Sequence, residues 1–218
     1  MDVKPIPGLE HLPYAEVWFH ELDDTGWREA STAARTLGKT GLEAWTTTRT
    51  PEVAAFLVER GYEEVRRYVV SELDVAAAPD PGEPAFEIVA YRPELAEALY
   101  AIAREAYPDQ PGRAETRIDE GWFQWGLPGP AFVALEDGAV LGYGVIDGFL
   151  AVARGARGRG VAGAIKRAQV AWAKENGVPK LSTANEVRLE RMLELNRRLG
   201  YRPLYEEIVL RGPLAPIP

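Results

Sequence analysis

The sequence predicts an α/β protein of the α+β kind: a mixed, mostly antiparallel sheet flanked by helices, preceded by a partial unit of the same design. Three observations carry that prediction. Short apolar runs alternate with longer helical patterns from residue 85 onward. The dipeptides Asp137-Gly138 and Asp147-Gly148 stand between strand-like runs as tight-turn signals. Four elements recur at a fixed offset of 139 residues.

In chain order, Val17–Phe19 reads as a short strand and Trp27–Leu37 as a helix stopped by Gly38, a good left-handed cap. Leu42–Thr46 reads as a strand, Pro51–Arg60 as an amphipathic helix and Glu64–Leu73 as a strand. Ala76-Ala77-Ala78-Pro79-Asp80-Pro81-Gly82-Glu83-Pro84 then breaks any regular element, since three prolines continue neither a helix nor a central strand. The expected division is therefore residues 1–78, a linker at 79–84, and a larger domain over 85–218. Within the latter, Phe86–Ala90 reads as a strand and Pro93–Glu105 as a helix with proline in its first turn. Ile118–Trp125 reads as a short helix, and Ala131–Leu135, Val140–Ile146 and Phe149–Ala153 as strands. Val161–Asn176 is the next helix, followed by a strand at Lys180–Thr183, a helix at Arg188–Leu199 and a strand at Leu204–Leu210.

The repeat aligns Gly38 with Gly177, Leu42 with Leu181, Arg49 with Arg188, Gly61 with Gly200 and Tyr62 with Tyr201. An ungapped register of this kind points to duplication. The front copy has only the closing four elements and one short strand. Half a sheet leaves an open edge and a bare face, so it is expected to pack on the rest of the chain or in a homodimer.

Composition narrows the chemistry. Of 218 residues, 46% are hydrophobic and 27% charged, a globular mix. No run reaches the roughly 18 apolar residues of a membrane span, and no basic-then-apolar leader is visible. A cytoplasmic protein without membrane contact is the expectation. Cysteine is absent, which removes disulfides, thiolate nucleophiles and cysteine zinc sites. Both histidines, His11 and His20, lie near the start, so neither a Ser–His–Asp triad nor a multi-histidine metal site is expected. The net charge of −8 disfavours nucleic acid and suits a cationic or amine-bearing small molecule. Residues 1–78 hold 14 acids and 8 bases, so most of the acidity sits there.

One segment carries chemistry. Arg154-Gly155-Ala156-Arg157-Gly158-Arg159-Gly160-Val161-Ala162 runs from a strand straight into a helix. Unpartnered N–H groups and the dipole at a helix start favour an anion there. Glycines let the backbone approach it, and arginines add phosphate hydrogen bonds. No Gly-Lys-Ser/Thr follows, and the Gly-x-Gly-x-x-Gly spacing is missing, so this is neither a Walker loop nor a dinucleotide fingerprint.

Val152-x-x-x-x-Arg157-Gly158-x-Gly160-x-Ala162 resembles motif A of the GNAT acetyltransferase superfamily, and the element order from residue 85 and Leu199-Gly200-Tyr201 are similar to that fold. Thr183-Ala184-Asn185, Met192 and Asn196-Arg197-Arg198-Leu199-Gly200-Tyr201 are similar to the double-domain branch that includes mycothiol synthase. The resemblance covers residues 85–211 as a full domain and about 15–75 as a partial one. It implies an N-acetyltransferase that uses acetyl-CoA as cosubstrate and passes the acetyl group directly to a small amine or amino sugar in a ternary complex. The backbone of Arg157, Gly158, Arg159, Gly160, Val161 and Ala162 would cradle the pyrophosphate. Leu150 and Val152 would pair with the pantetheine amides, and Asn185 would be a polar contact near them. No metal is implied.

The chain departs from the family pattern at the reacting groups. Many members place a tyrosine four residues before the glycine of the last helix to protonate the thiolate; Asn196 stands there, and an amide does not titrate near neutrality. The family's asparagine seven residues earlier is Leu189. Where some relatives carry a basic glutamate, this chain has Ile146 and Asp147, with Asp119 and Glu120 as other acids. Asn196 and Asp147 are thus the candidate catalytic positions, and Trp122, Phe123 and Trp125 either wall an acceptor pocket or belong to the core. At the 139-residue offset, Trp18-Phe19-His20-Glu21-Leu22-Asp23 replaces the phosphate loop, so the front copy is expected not to bind the coenzyme. A non-catalytic GNAT-fold protein that binds coenzyme A or a partner is the alternative.

Overall fold

A computed structural model describes residues 1–80, 82–119, 121, 123, 127 and 129–217. Half of the helix expected at Ile118–Trp125 falls outside them, including Glu120, Trp122 and Trp125. The chain forms two compact units, one of Met1–Val70, Ala184–Arg188 and Leu204–Pro218, the other of Ser71–Thr183 and Leu189–Pro203.

The first unit begins with strands β1 (Val3–Pro5) and β2 (Tyr14–Trp18) and helix α1 (Asp24–Thr36). Strand β3 (Gly41–Thr47), helix α2 (Pro51–Val58) and strand β4 (Glu63–Asp74) follow. Helix α1 starts three residues before its apolar pattern does. Asp23 caps it by accepting the Gly26 N–H at 2.8 Å. β1 pairs antiparallel with β2, and β2 runs parallel to β3. The strand on the other side of β3 comes from the end of the chain: β10 (Arg202–Pro213) pairs antiparallel with it from Glu207 opposite Thr47 to Pro213 opposite Gly41. The full order is β1-β2-β3-β10-β4-β9, with β9 at Lys180–Glu186. The open edge expected for the front copy is thereby filled by β10.

Alternation along these strands sends Ala15, Val17, Leu42, Ala44, Ile208 and Leu210 to the side of α1 and α2. Trp27 Nε1 donates to the Tyr62 hydroxyl at 3.1 Å, which donates to the Pro213 carbonyl at 2.8 Å. Burial pushes that phenol up to about 12. The opposite side carries the stacked rings of Trp18, Trp45 and Tyr68, and Glu43 bonded to Arg66 and Arg211.

The second unit holds strands β5 (Glu87–Ala90), β6 (Ala131–Glu136), β7 (Ala139–Val145) and β8 (Leu150–Val152), paired antiparallel in that order. Helix α3 (Ala96–Ala106) covers one face through Leu99, Ile102 and Ala103 against Val133, Tyr143 and Ala151. Helix α4 (Val161–Glu175) covers the other through Val161 and Ile165 against Ala134 and Leu141. Helix α5 (Glu190–Arg198) follows β9.

The 139-residue offset holds at the level of elements. It carries β3 onto β9 and β4 onto β10 end to end, and sets α2 on α5 and α1 on α4 to within two residues. Among the described residues, no helix is long and apolar enough to cross a membrane, and no group of three or more His, Asp or Glu side chains is arranged to hold a metal ion.

Candidate functional site

The site lies in the second unit, where β8 leads into α4. β8 has three residues and stands at one end of its sheet order, so among the described residues one side of it is paired and the other is not. Ala153 donates to Leu141 at 2.9 Å, and Val145 donates to Phe149 at 3.0 Å. In an antiparallel ladder these bonds alternate. The peptide groups of Phe149, Ala151 and Ala153 therefore point at β7, and those of Leu150 and Val152 point to the open edge. A Cβ on Gly142 would lie 2.6 Å from the Ala151 carbonyl oxygen, so glycine is what lets β7 and β8 approach this closely.

Beyond Val152, the chain makes a single 3-10 turn at Arg154–Ala156 and then the loop. Gly158 and Gly160 take φ of 80° and 91°, left-handed values that strain any other residue. Gly160 is the N-cap of α4, and the first helical bond runs from Ala164 to its carbonyl at 3.0 Å. The N–H groups of Val161, Ala162 and Gly163 have no intrahelical acceptor and project together from the positive end of a 15-residue helix. That is a cradle for an anion.

The loop arginines are engaged with carboxylates. Arg154 meets Asp109 at 2.6 and 3.0 Å, and its own N–H donates to Glu105 at 3.1 Å. Arg157 donates to Asp109 at 2.8 Å and to the Val152 carbonyl at 3.1 Å, and Arg159 grips Glu136 at 2.6 and 2.8 Å. Hydrogen bonds from Arg154 and then Arg157 hold the Asp109 carboxyl at about 2. Arg159 lowers Glu136 in the same way. Exposed pairs of this sort are weak, so a polyphosphate can replace these acids at little cost.

The other sequence candidates fall as follows. Asp147 sits at φ 51° in the turn before β8, and its carboxylate accepts the Ser182 N–H of β9 at 2.8 Å. Asn196 is buried on α5 at 2% exposure, and Leu189 is half-buried at the start of that helix. Asn185 is half-buried on β9, in the 184–188 segment of the first unit, whereas the loop belongs to the second. Phe123 is a core residue at 2% exposure, packed against Tyr100 and Tyr143. Asp119 lies in the segment before it.

Sequence reasoning missed Glu105, Asp109 and Glu136, whose partners are 23 to 49 residues away, and Lys166, buried at 5% exposure on α4. The signal for Lys166 was its phase: it shares a helical stripe with Val170 and Ala173.

Comparison with known proteins gives the arrangement a context. Residues 96–201 match the model described as the Acetyltransferase (GNAT) family. No curated protein matches the chain. Among solved structures, a tandem GNAT protein from the clavulanic acid biosynthesis pathway superposes with a TM-score of 0.72 at 20% identity, covering 96% of this chain and 78% of that one. A GCN5-related N-acetyltransferase from Sphaerobacter thermophilus gives 0.68 at 18% identity, with 99% and 76% covered. One from Kribbella flavida gives 0.59 at 20% identity, with 93% and 82% covered. At these identities the structures speak for the fold alone, and the fold is the mixed, antiparallel-rich α/β design read from the sequence.

Proposed function

From the match of residues 96–201 to the Acetyltransferase (GNAT) family model, we propose that this chain is an acetyltransferase of that family and transfers an acetyl group from acetyl-CoA to a small amine or amino-sugar acceptor. The observation that carries the reading is the loop Arg157–Ala162, with two left-handed glycines opening onto the bare N–H groups of α4. The pyrophosphate occupies that cradle and takes Arg154, Arg157 and Arg159 from Asp109, Glu105 and Glu136. The outward peptide groups of Leu150 and Val152 pair with the pantetheine amides. One outward N–H of β8 serves the oxyanion that forms at the thioester carbonyl.

With no cysteine to carry the acetyl group, transfer is direct. The amine nitrogen bonds to the carbonyl carbon, the carbon–sulfur bond breaks, and the proton lost by nitrogen ends on the thiol of coenzyme A. Holding both reactants in one ternary complex supplies much of the acceleration. Asn196 offers an amide donor rather than a titrating acid, and Asp147 has its carboxylate on Ser182. Those two facts are what favour the second reading, a fold that binds coenzyme A without turnover.

We read residues 1–78 as a degenerate partial copy that takes no coenzyme, in a tandem arrangement similar to the mycothiol synthase branch. At the offset of 139 residues, Asp23 stands where Ala162 does, and its carboxylate already caps α1. A phosphate at that helix start would meet a negative charge.

The test is thiol release from acetyl-CoA across a panel of amines and amino sugars. A cysteine-free protein gives no background with a thiol reagent. Turnover on at least one amine is the expected result. Saturable binding of acetyl-CoA with no turnover on any amine would replace this reading with the second. A further expectation concerns Asp109→Asn, which frees Arg154 and Arg157 from a competing carboxylate. Acetyl-CoA affinity should rise about threefold to tenfold by calorimetry, with a steeper salt dependence.

A further inference from the structure

Arg154, Arg157 and Arg159 all carry acids, but the next arginine in the chain does not. Arg167 is half-buried on the second turn of α4, and among the described residues its guanidinium has neither an ion pair nor a hydrogen bond. Its side chain runs back toward the start of the helix, as long helical side chains do. Nη1 lies 3.3 Å from the point that a Cβ on Gly163 would occupy, and Leu195 of α5 lies 3.5 Å from the same point. Gly163 supplies one of the bare N–H groups of the anion cradle. An unpaired cation therefore stands against the last residue of that cradle.

Arg167 also lines a cavity of about 290 Å³ within the second unit. Ala164, Ala168 and Trp172 line it from α4, and Ile88 of β5 and Phe132 of β6 line it from the sheet. The Phe132 and Trp172 rings meet edge to face at 6.3 Å. At the helical rise, Ala164 and Ala168 stand about 1.5 and 7.5 Å along the axis from Gly163, a distance that one ribose spans. The acid on the lining, Glu175, is eight residues past Arg167, so it does not meet an anion at the near end. A cavity of this size lies at the lower end of small-molecule sites and suits one flat heteroaromatic ring system rather than a whole substrate.

An anion cradle, an unpaired cation beside it and an apolar cavity next in line complement a nucleotide that bears a second phosphate. We propose that Arg167 binds the ribose 3′-phosphate of coenzyme A and that the adenine ring enters the cavity between α4 and strands β5 and β6. The loop arginines give up carboxylates to take the pyrophosphate, whereas Arg167 gives up only water, so its charge-assisted bond to that second phosphate has no competitor. The inference deepens the acetyl-CoA reading and rests on it.

The experiment is calorimetric titration of the full chain with coenzyme A and with dephospho-coenzyme A, which lacks only the ribose phosphate. It uses the native protein, Arg167→Met, Arg167→Lys and Ala168→Phe. The native protein should bind coenzyme A at least about tenfold tighter than the dephospho form. Arg167→Met should bring the two ligands to within about twofold of each other, and Arg167→Lys should keep part of the preference. Ala168→Phe fills the cavity, so both ligands should weaken about tenfold while their ratio stays as in the native protein. Equal affinity of the native protein for the two ligands would overturn the proposal, and that comparison needs no variant. So would a preference that survives Arg167→Met, or an Ala168→Phe protein that binds both ligands as the native one does. Binding of neither ligand to the native protein removes the acetyl-CoA reading itself, and this inference with it.

Discussion

Gly160→Asp is expected to lower acetyl-CoA affinity at least about a hundredfold, or ~2.8 kcal/mol. Two effects act together. At φ 91° a side chain strains the backbone by about 1–2 kcal/mol. The new carboxylate also stands at the N-cap of α4, where the pyrophosphate needs bare N–H groups. Steric clash has no part in this, since the space a Cβ would enter at residue 160 is open. Gly160→Asn separates the two contributions, because asparagine tolerates left-handed conformations and brings no charge. Its affinity should fall by no more than about tenfold. Calorimetry of both variants, with circular dichroism to confirm the fold, checks the prediction.

The largest expected effect on stability is at Glu43. Its carboxylate is fully buried and shared by Arg66 and by Arg211, the latter at 2.8 Å, with Arg66 itself 1% exposed. Glu43→Ala removes the common acceptor and leaves two guanidinium groups facing the gap. Breaking a buried charge arrangement from one side costs about 3–5 kcal/mol. Glu194→Ala is the matched control. Glu194 also bonds two arginines, Arg197 and Arg198, but at the surface, and its loss should leave the denaturation midpoint nearly unchanged. Chemical denaturation should therefore separate the two variants by several kcal/mol. Equal midpoints would mean that the Glu43 cluster contributes nothing net.

The contrast between these residues also explains what the sequence could reveal. The strand, glycine-rich turn and helix start at residues 150–162 were legible because their signal is local, within a dozen residues of sequence. The repeat was legible for a similar reason, since one offset reproduces the bounds of β3, β4, β9 and β10 without any knowledge of their pairing. The pairing itself was not legible. Nothing in residues 202–213 announces that β10 lies between β3 and β4, because a strand's partner is chosen by tertiary packing across more than a hundred residues.

The same holds for the site. The loop arginines were read as hydrogen-bond donors to a phosphate, and the acids that engage them, Asp109 and Glu105, come from the end of α3 and the segment after it, where no local pattern announces them. Phe123 sits in a run of aromatic residues that suited a pocket wall as well as a core, and burial decided for the core. Lys166 was not singled out in the sequence, and its burial over the Tyr201 ring shows only in the fold.

The account rests on acetyl-CoA binding at the loop before α4. The most direct test is calorimetric titration of the native protein with acetyl-CoA, alongside ATP and inorganic pyrophosphate at the same salt concentration. Saturable one-site binding of acetyl-CoA, at least about tenfold tighter than either of the other two, is the predicted result. No heat with acetyl-CoA, or equal affinity for all three ligands, would contradict the account.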